Sequence, residues 1–264
     1  MKLTIALAQI RSSLFDKETN LQRILESMTI AHNKKAQYIL FPELFLTGFA
    51  IEDRIEEMAE SLDGEIITKI RRNARALNMG VIVGFPEKDG NHIYNSSVFI
   101  DNNGNILGVY RKIHLFDHEK KYFKAGDQVP IFHTPVGKMG VMITYDMEFP
   151  EISRILSVKG AHIILVLCSN MIPYQQYQDT YLRARAMENH IFIAAANRVG
   201  LENDYVYFGE SKLTDPTGKT LSKALNNEEI SVTAIDLSET HQAKGVLDYI
   251  SNRRPDIYSK EGLV

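Results

Sequence analysis

The stretch Met139-Gly140-Val141-Met142-Ile143-Thr144-Tyr145-Asp146-Met147-Glu148-Phe149-Pro150-Glu151-Ile152-Ser153-Arg154 constrains this chain more than any other. Its β-rich apolar run, Val141 to Ile143, stops at Thr144. After Phe149-Pro150 a helical pattern begins, with Ile152, Ile155 and Leu156 three and four residues apart. A buried strand is handing over to a helix through a tight turn. Such a junction holds one side chain at the turn while the first free backbone N–H groups of the helix point at whatever sits before it, which suits a nucleophile beside an anion site. Thr144 stands at that junction. Strand-to-helix turns are common in α/β proteins, so its meaning depends on partners elsewhere in the chain.

The rest of the sequence repeats the alternation of buried strands and amphipathic helices. In residues 1–10, Leu3, Ile5 and Leu7 alternate; the apolar part is short and no small-residue cleavage site follows, so this is a strand and not a signal peptide. Leu21, Ile24, Leu25, Met28 and Ala31 form a helical stripe over 20–31. Residues 36–41 are a short buried strand ended by Pro42-Glu43, 51–77 two helical segments divided near Asp63-Gly64, and 79–85 a third strand. Residues 93–100 and 106–110 make a hairpin around Asp101-Asn102-Asn103-Gly104, whose Asn-Gly is expected to take positive φ. Residues 111–128 lack a clear period and are expected to be a loop. Strands follow at 130–133 and 138–143, a helix at 151–158, the most apolar strand at 161–167, a loop at 168–174 and a helix at 176–188. Strands at 191–197, 208–213 and 230–235, with a turn at 215–218, complete the pattern and leave 252–264 as a polar tail. No repeat, low-complexity segment or Pro/Gly/Ser-rich linker interrupts it, so 1–264 is expected to be a single layered α/β domain.

Composition narrows the partners. The chain of 264 residues is 44% apolar and 24% charged, with a net charge of −3. That balance argues against nucleic acid or an anionic membrane as the main partner. No apolar run approaches the ~20 residues of a spanning helix. One cysteine, Cys168, excludes an intramolecular disulfide and zinc sites needing several thiolates, and fits a reducing cytoplasm.

Taken singly, the polar residues beside these elements have ordinary readings. Glu43 follows a buried strand directly, where α/β proteins keep catalytic groups, but a solvated loop acid looks the same. Lys112, between Arg111 and Ile113, reads as a snorkelling lysine, and Glu119 as a surface carboxylate. His114 and His118, four apart in an expected loop, are too few to argue for a metal.

Read together they change meaning. Phe41-Pro42-Glu43, Tyr110-Arg111-Lys112 and Tyr145-Asp146-Met147-Glu148-Phe149-Pro150-Glu151 occur in that order. They are followed by Arg183-Ala184-Arg185-Ala186-Met187-Glu188-Asn189, Ala195-Ala196-Asn197-Arg198-Val199-Gly200, Gly209-Glu210-Ser211, Asp215-Pro216-Thr217-Gly218 and Arg253-Arg254-Pro255. This order resembles the nitrilase superfamily of carbon–nitrogen hydrolases over nearly the whole chain. The resemblance implies a four-layer αββα sandwich without metal or cofactor, assembled as a homodimer or higher oligomer through the helices nearest the nucleophile turn and the C-terminal segment. It implies hydrolysis of a small linear amide, with Glu43 as general base, Lys112 stabilising the tetrahedral oxyanion together with the backbone N–H of Tyr145, and Glu119 orienting or assisting. Asn170 and Tyr174, with Ser169, are expected to line the acyl pocket. Nitriles are the less favoured substrates for so short, amidase-like a chain.

One position departs from the family pattern. The family's nucleophile is a cysteine immediately before Tyr-Asp, and Thr144 stands there. A free thiol has a pKa of about 8.5, an alcohol is a far weaker acid, and each unit of mismatch with the base costs about 1.4 kcal/mol. Threonine is also β-branched, which suits a strained turn poorly. Three accounts fit: a cysteine replaced in a working amidase, a non-catalytic protein binding a small carboxylate, an amide or a partner protein, or takeover by another group. Cys168 is the thiol available for the third, and otherwise reads as a small buried hydrophobe.

Overall fold

The computed structural model describes residues 1–242, 245 and 247–262. The first five strands are β1 (Lys2–Gln9), β2 (Tyr38–Leu40), β3 (Gly80–Asp89), β4 (His92–Ile100) and β5 (Ile106–Arg111). Then come β6 (Phe132–Thr134), β7 (Gly137–Ile143), β8 (Ile163–Cys168) and β9 (Phe192–Asn197), and a two-stranded hairpin, β10 (Val199–Glu202) with β11 (Tyr205–Phe208). β12 (Lys212–Thr214), β13 (Thr220–Lys223) and β14 (Glu229–Asp236) follow. They sort into two six-stranded sheets, β14-β1-β2-β3-β4-β5 and β13-β12-β9-β8-β7-β6. Each has a parallel centre, β1-β2-β3 or β7-β8-β9, flanked by antiparallel strands.

Strand periodicity builds the layers. In β1, Leu3, Ile5 and Leu7 point between the sheets, and Ala6 and Ala8 point outward; in β8, Ile163, Leu165 and Leu167 point in and Ile164, Val166 and Cys168 out. The parallel strands are buried on both faces, which is why β8 reads Ile-Ile-Leu-Val-Leu-Cys without a polar residue. The outer face of the first sheet is covered by α1 (Lys17–Asn33), through Leu21, Ile24, Met28 and Ala31. Beyond the short α2 (Ile55–Met58), α3 (Glu65–Leu77) adds Ile66, Ile67, Ile70 and Ala74 to the same cluster. After the single turn α4 (Glu119–Tyr122), α5 (Pro150–Val158) and α6 (Gln175–Asn189) cover the second sheet with Ile152, Leu156, Leu182 and Ala186. The result is the four-layer αββα sandwich. α7 (Glu239–Gln242) and α8 (Pro255–Lys260) close the chain.

Several local expectations need correction. Strand 208–213 is interrupted: Phe208 ends β11, Gly209 takes φ 75° and Glu210 φ 56°, and pairing resumes only at Lys212. The loop 111–128 contains α4, and the polar tail 252–264 contains α8; Leu263 and Val264 lie outside the described residues. At 101–104 only Gly104 takes positive φ, because Asp101 shapes the turn by accepting from the N–H groups of Asn103 and Asn105. Among the described residues, no helix is long and apolar enough to cross a membrane.

Candidate active site

β2 delivers Glu43 to the seam between the sheets. The segment 42–44 lies against Gly84 of β3 so closely that a Cβ there would sit 2.6 Å from the Leu44 nitrogen and 2.7 Å from the Pro42 carbonyl. From the other side, Arg198 Nη2 donates to the Glu43 carbonyl at 2.6 Å, and Glu43 N–H reaches the Cys168 carbonyl at 3.4 Å. Lys112 follows β5 directly, and its backbone N–H donates to the Asn95 carbonyl of β4. Glu119 opens α4, with its Oε2 accepting the Phe116 N–H at 2.7 Å.

The four side chains converge. Lys112 Nζ lies 2.6 Å from Glu43 Oε1 and 2.6 Å from Glu119 Oε2. The other Glu43 oxygen, Oε2, accepts from Thr144 Oγ1 at 2.6 Å. Asn95 Nδ2 bridges the two carboxylates, at 2.8 Å from Glu43 and 2.6 Å from Glu119. Burial pushes the Lys112 ammonium down, but the charges of Glu119 and Glu43 outweigh it and hold the group above its ordinary range. Burial raises the Glu119 carboxyl against the pull of Lys112, with Glu43 adding to the rise. A fixed, fully charged ammonium therefore sits beside a carboxylate that also faces the hydroxyl of Thr144.

The turn carrying Thr144 is held by Asp146, which is fully buried. Its carboxylate accepts from Tyr110 Oη at 2.8 Å, from the His114 N–H at 2.8 Å and from the Ile143 N–H at 3.1 Å. Arg185 of α6 fastens the far end by donating to the Met147 carbonyl at 3.0 Å and the Glu148 carbonyl at 2.8 Å. Thr144 takes φ 31°, a left-handed value that a β-branched residue adopts only under strain. Its Oγ1 also accepts from the Ser169 N–H at 2.9 Å, and the Leu167 carbonyl lies 3.1 Å away as a second acceptor for its single proton.

These groups open into a cleft of about 200 Å³ lined by Glu43, Lys112, Thr144, Tyr145, Glu148, Ser169, Asn170 and Met171, with Phe49, Phe116, Tyr174 and Tyr177 as aromatic walls. Tyr145, Asn170 and Tyr174 are thus on its surface, although the Asn170 amide is committed to Gln178 Oε1 at 2.7 Å. Cys168 is not there: it is the last residue of β8, points into the core beneath α5 and α6, and burial pushes its thiol up. His114 stacks on Phe149 at 3.7 Å and bonds Asp146, while His118 pairs with Asp117, so the two do not share a site.

Sequence reasoning gave no role to Asn95, Arg198, Glu202 or Glu148. Asn95 was signalled by a polar Asn-Ser-Ser run inside an otherwise buried strand. Arg198 and Glu202 form a buried ion pair at 3.0 Å, and Glu202 Oε1 accepts the N–H groups of Phe49 at 2.7 Å and Ala50 at 2.8 Å. The β10-β11 hairpin thereby ties the Glu43 loop to a wall of the cleft.

The profile of carbon-nitrogen hydrolases matches residues 4–245. The chain belongs to the carbon-nitrogen hydrolase family. It is 39% identical over 269 residues to a probable nitrilase of Schizosaccharomyces pombe, with 98% of each chain covered. A carbon-nitrogen hydrolase from Helicobacter pylori superposes with a TM-score of 0.93 at 26% identity, covering 98% of both chains. A mutant amidase from Nesterenkonia sp. AN1, showing covalent addition of the acetamide moiety of fluoroacetamide at the active site cysteine, superposes with a TM-score of 0.89. It is 27% identical to this chain and covers 98% of it and 96% of its own.

Proposed function

We propose that the cleft is built to hydrolyse a small linear amide to a carboxylic acid and ammonia, with Thr144 in the nucleophile's place. The observation that carries the reading is that the two oxygens of one carboxylate, Glu43, face Lys112 Nζ and Thr144 Oγ1, each at 2.6 Å. A group at position 144 gives its proton to Glu43 and attacks the amide carbon; the tetrahedral oxyanion is met by the Lys112 ammonium and the Tyr145 N–H. Glu43 returns the proton to nitrogen as the C–N bond breaks and ammonia leaves. Glu43 then takes a proton from water, which attacks the acyl group and releases the acid, and the nucleophile recovers its proton. Glu119 fixes the ammonium from its far side. The relatives' names, amidases and nitrilases, fit this chemistry.

A threonine hydroxyl is many pKa units above a thiol, so turnover by this chain in the family manner is very slow or absent. That weak acidity, with the strained φ of Thr144, favours a second reading, a non-catalytic protein that binds an amide or carboxylate ligand. Ammonia release from a panel of short amides by this chain and by Thr144→Cys separates the two. Release by Thr144→Cys supports the amidase site; none by either protein favours the binder. We also propose at least a dimer, supported by the exposed Ile155, Val158 and Met187 on α5 and α6. Light scattering that finds only a 30.0 kDa species would refute it.

A further inference from the structure

Glu148 lines the cleft but has no task in the chemistry above. It ends the turn that begins at Thr144, four residues on, which at the rise of a tight helical turn places it about 8 Å along the axis from the nucleophile position. The residue is half-buried, and burial raises its carboxyl above the ordinary range. Among the described residues, no side-chain donor bonds its carboxylate. Arg185, whose charge pulls the Glu148 carboxyl down, spends its guanidinium on the carbonyls of Met147 and Glu148 and on Glu188 Oε1. A half-buried carboxylate without a donor is costly unless something brings one.

The surroundings say what kind of group that is. Phe49, Phe116, Tyr145, Tyr174 and Tyr177 line the same cleft, and aromatic faces attract cations. Among the described residues, Lys112 is the only basic side chain on the cleft wall, and it is already occupied by Glu43 and Glu119. The adjoining groove, which shares Phe49, Phe116 and Met171, adds Glu52, Asp117 and His118, the imidazole lying 3.2 Å from the Asp117 carboxylate. An anionic tail would meet carboxylates there, whereas a protonated amine would meet a carboxylate and aromatic rings.

We propose that Glu148 and these aromatic walls form a cation subsite, so that the preferred ligand is a short amide carrying a protonated amine a few carbons from its carbonyl. This rests on the amidase reading for the position of the amide group, but the subsite is open to a test by binding alone. The probes are δ-aminovaleramide, hexanamide, in which a methyl replaces the ammonium, and adipamic acid, in which a carboxylate does. Titration calorimetry on this chain, with Thr144 in place, is expected to show δ-aminovaleramide binding roughly tenfold tighter than hexanamide, with adipamic acid weakest. Glu148→Gln is expected to remove the advantage of the amine, and Glu148→Lys to move the preference to adipamic acid. Equal binding of δ-aminovaleramide and hexanamide, no binding of the amine, or an advantage that survives Glu148→Gln would each overturn the proposal. Hydrolysis by Thr144→Cys keeps the two readings apart. Discrimination in binding with no hydrolysis leaves the subsite and removes the amidase; hydrolysis of hexanamide with no preference for the amine does the reverse.

Discussion

Lys112 Nζ stands 2.6 Å from Glu43 Oε1 with both side chains almost wholly shut off from water, at 1% and 0% exposure. A buried ammonium of this kind is held by its partners and holds them in turn. Two carboxylates without it would share a site with no cation, so its loss is felt in folding as well as in chemistry.

Lys112→Met is therefore expected to destabilise the protein by about 3–5 kcal/mol at neutral pH, measured by denaturant unfolding. Burial already raises the Glu119 carboxyl, and removing the ammonium raises it further. A carboxyl whose folded pKa exceeds its unfolded value gives the folded state the extra proton between the two, so stability falls as pH rises through that window. The deficit of the variant should shrink as pH is lowered toward the free glutamate value of about 4.3. A deficit independent of pH would contradict the charge argument.

Thr144→Cys should fold at least as well as the parent, since cysteine lacks the branch that strains a φ of 31°. Supplied with a poorly hydrolysed amide, it should gain one acyl group by intact mass. In that background Glu43→Gln should slow ammonia release by about 10²–10⁴-fold. Unchanged rates after the second substitution would remove Glu43 from the role of base.

Arg198→Met breaks a buried pair and leaves Glu202 uncompensated, for an expected loss of about 3–5 kcal/mol. The Glu43 carbonyl also loses its guanidinium donor. Binding of amides should weaken in this variant even at temperatures where it remains folded. A thermal melt and amide titration that both match the parent would show the hairpin to be a bystander.

Gly84→Ala pushes a methyl into the backbone beside Glu43, where no flexible side chain can give way. The expected cost is about 1–3 kcal/mol by unfolding. In the Thr144→Cys background, the rate should fall by more than the folded fraction does.

Most of the layering was legible because burial imposes period. The stripe of Leu21, Ile24, Met28 and Ala31 and the run from Ile163 to Leu167 can be little else. The β10-β11 hairpin was not, since its strands have four residues each, and β11 runs from half-buried Tyr205 and exposed Val206 to buried Tyr207 and Phe208 without a clean alternation. The order of motifs pointed to Glu43, Lys112, Glu119 and Thr144. No local pattern announces that Asn95 bridges two carboxylates, because that depends on β4 pairing with β5 so as to set Asn95 beside Lys112. Glu148 is hidden for the opposite reason: its place inside the Tyr145–Glu151 block does not show that the residue lines the cleft.

The cluster is divided between the two sheets. Glu43, Asn95, Lys112 and Glu119 belong to the first half of the chain, and Thr144 and Ser169 to the second. Between the halves lie the inward faces of the two sheets, where Ile5, Leu7 and Phe99 meet Val141 and Leu165 and hold them at a fixed separation. The Glu43–Thr144 distance is accordingly a property of the interior's thickness. Trimming a residue such as Phe99, which packs edge-on against Tyr38 and tilted against Phe132, would let the sheets settle toward each other and detune the Glu43–Thr144 contact from a distance. Each half of the sequence is thus a ruler for the other, and a change in packing is read out at the Glu43–Thr144 contact.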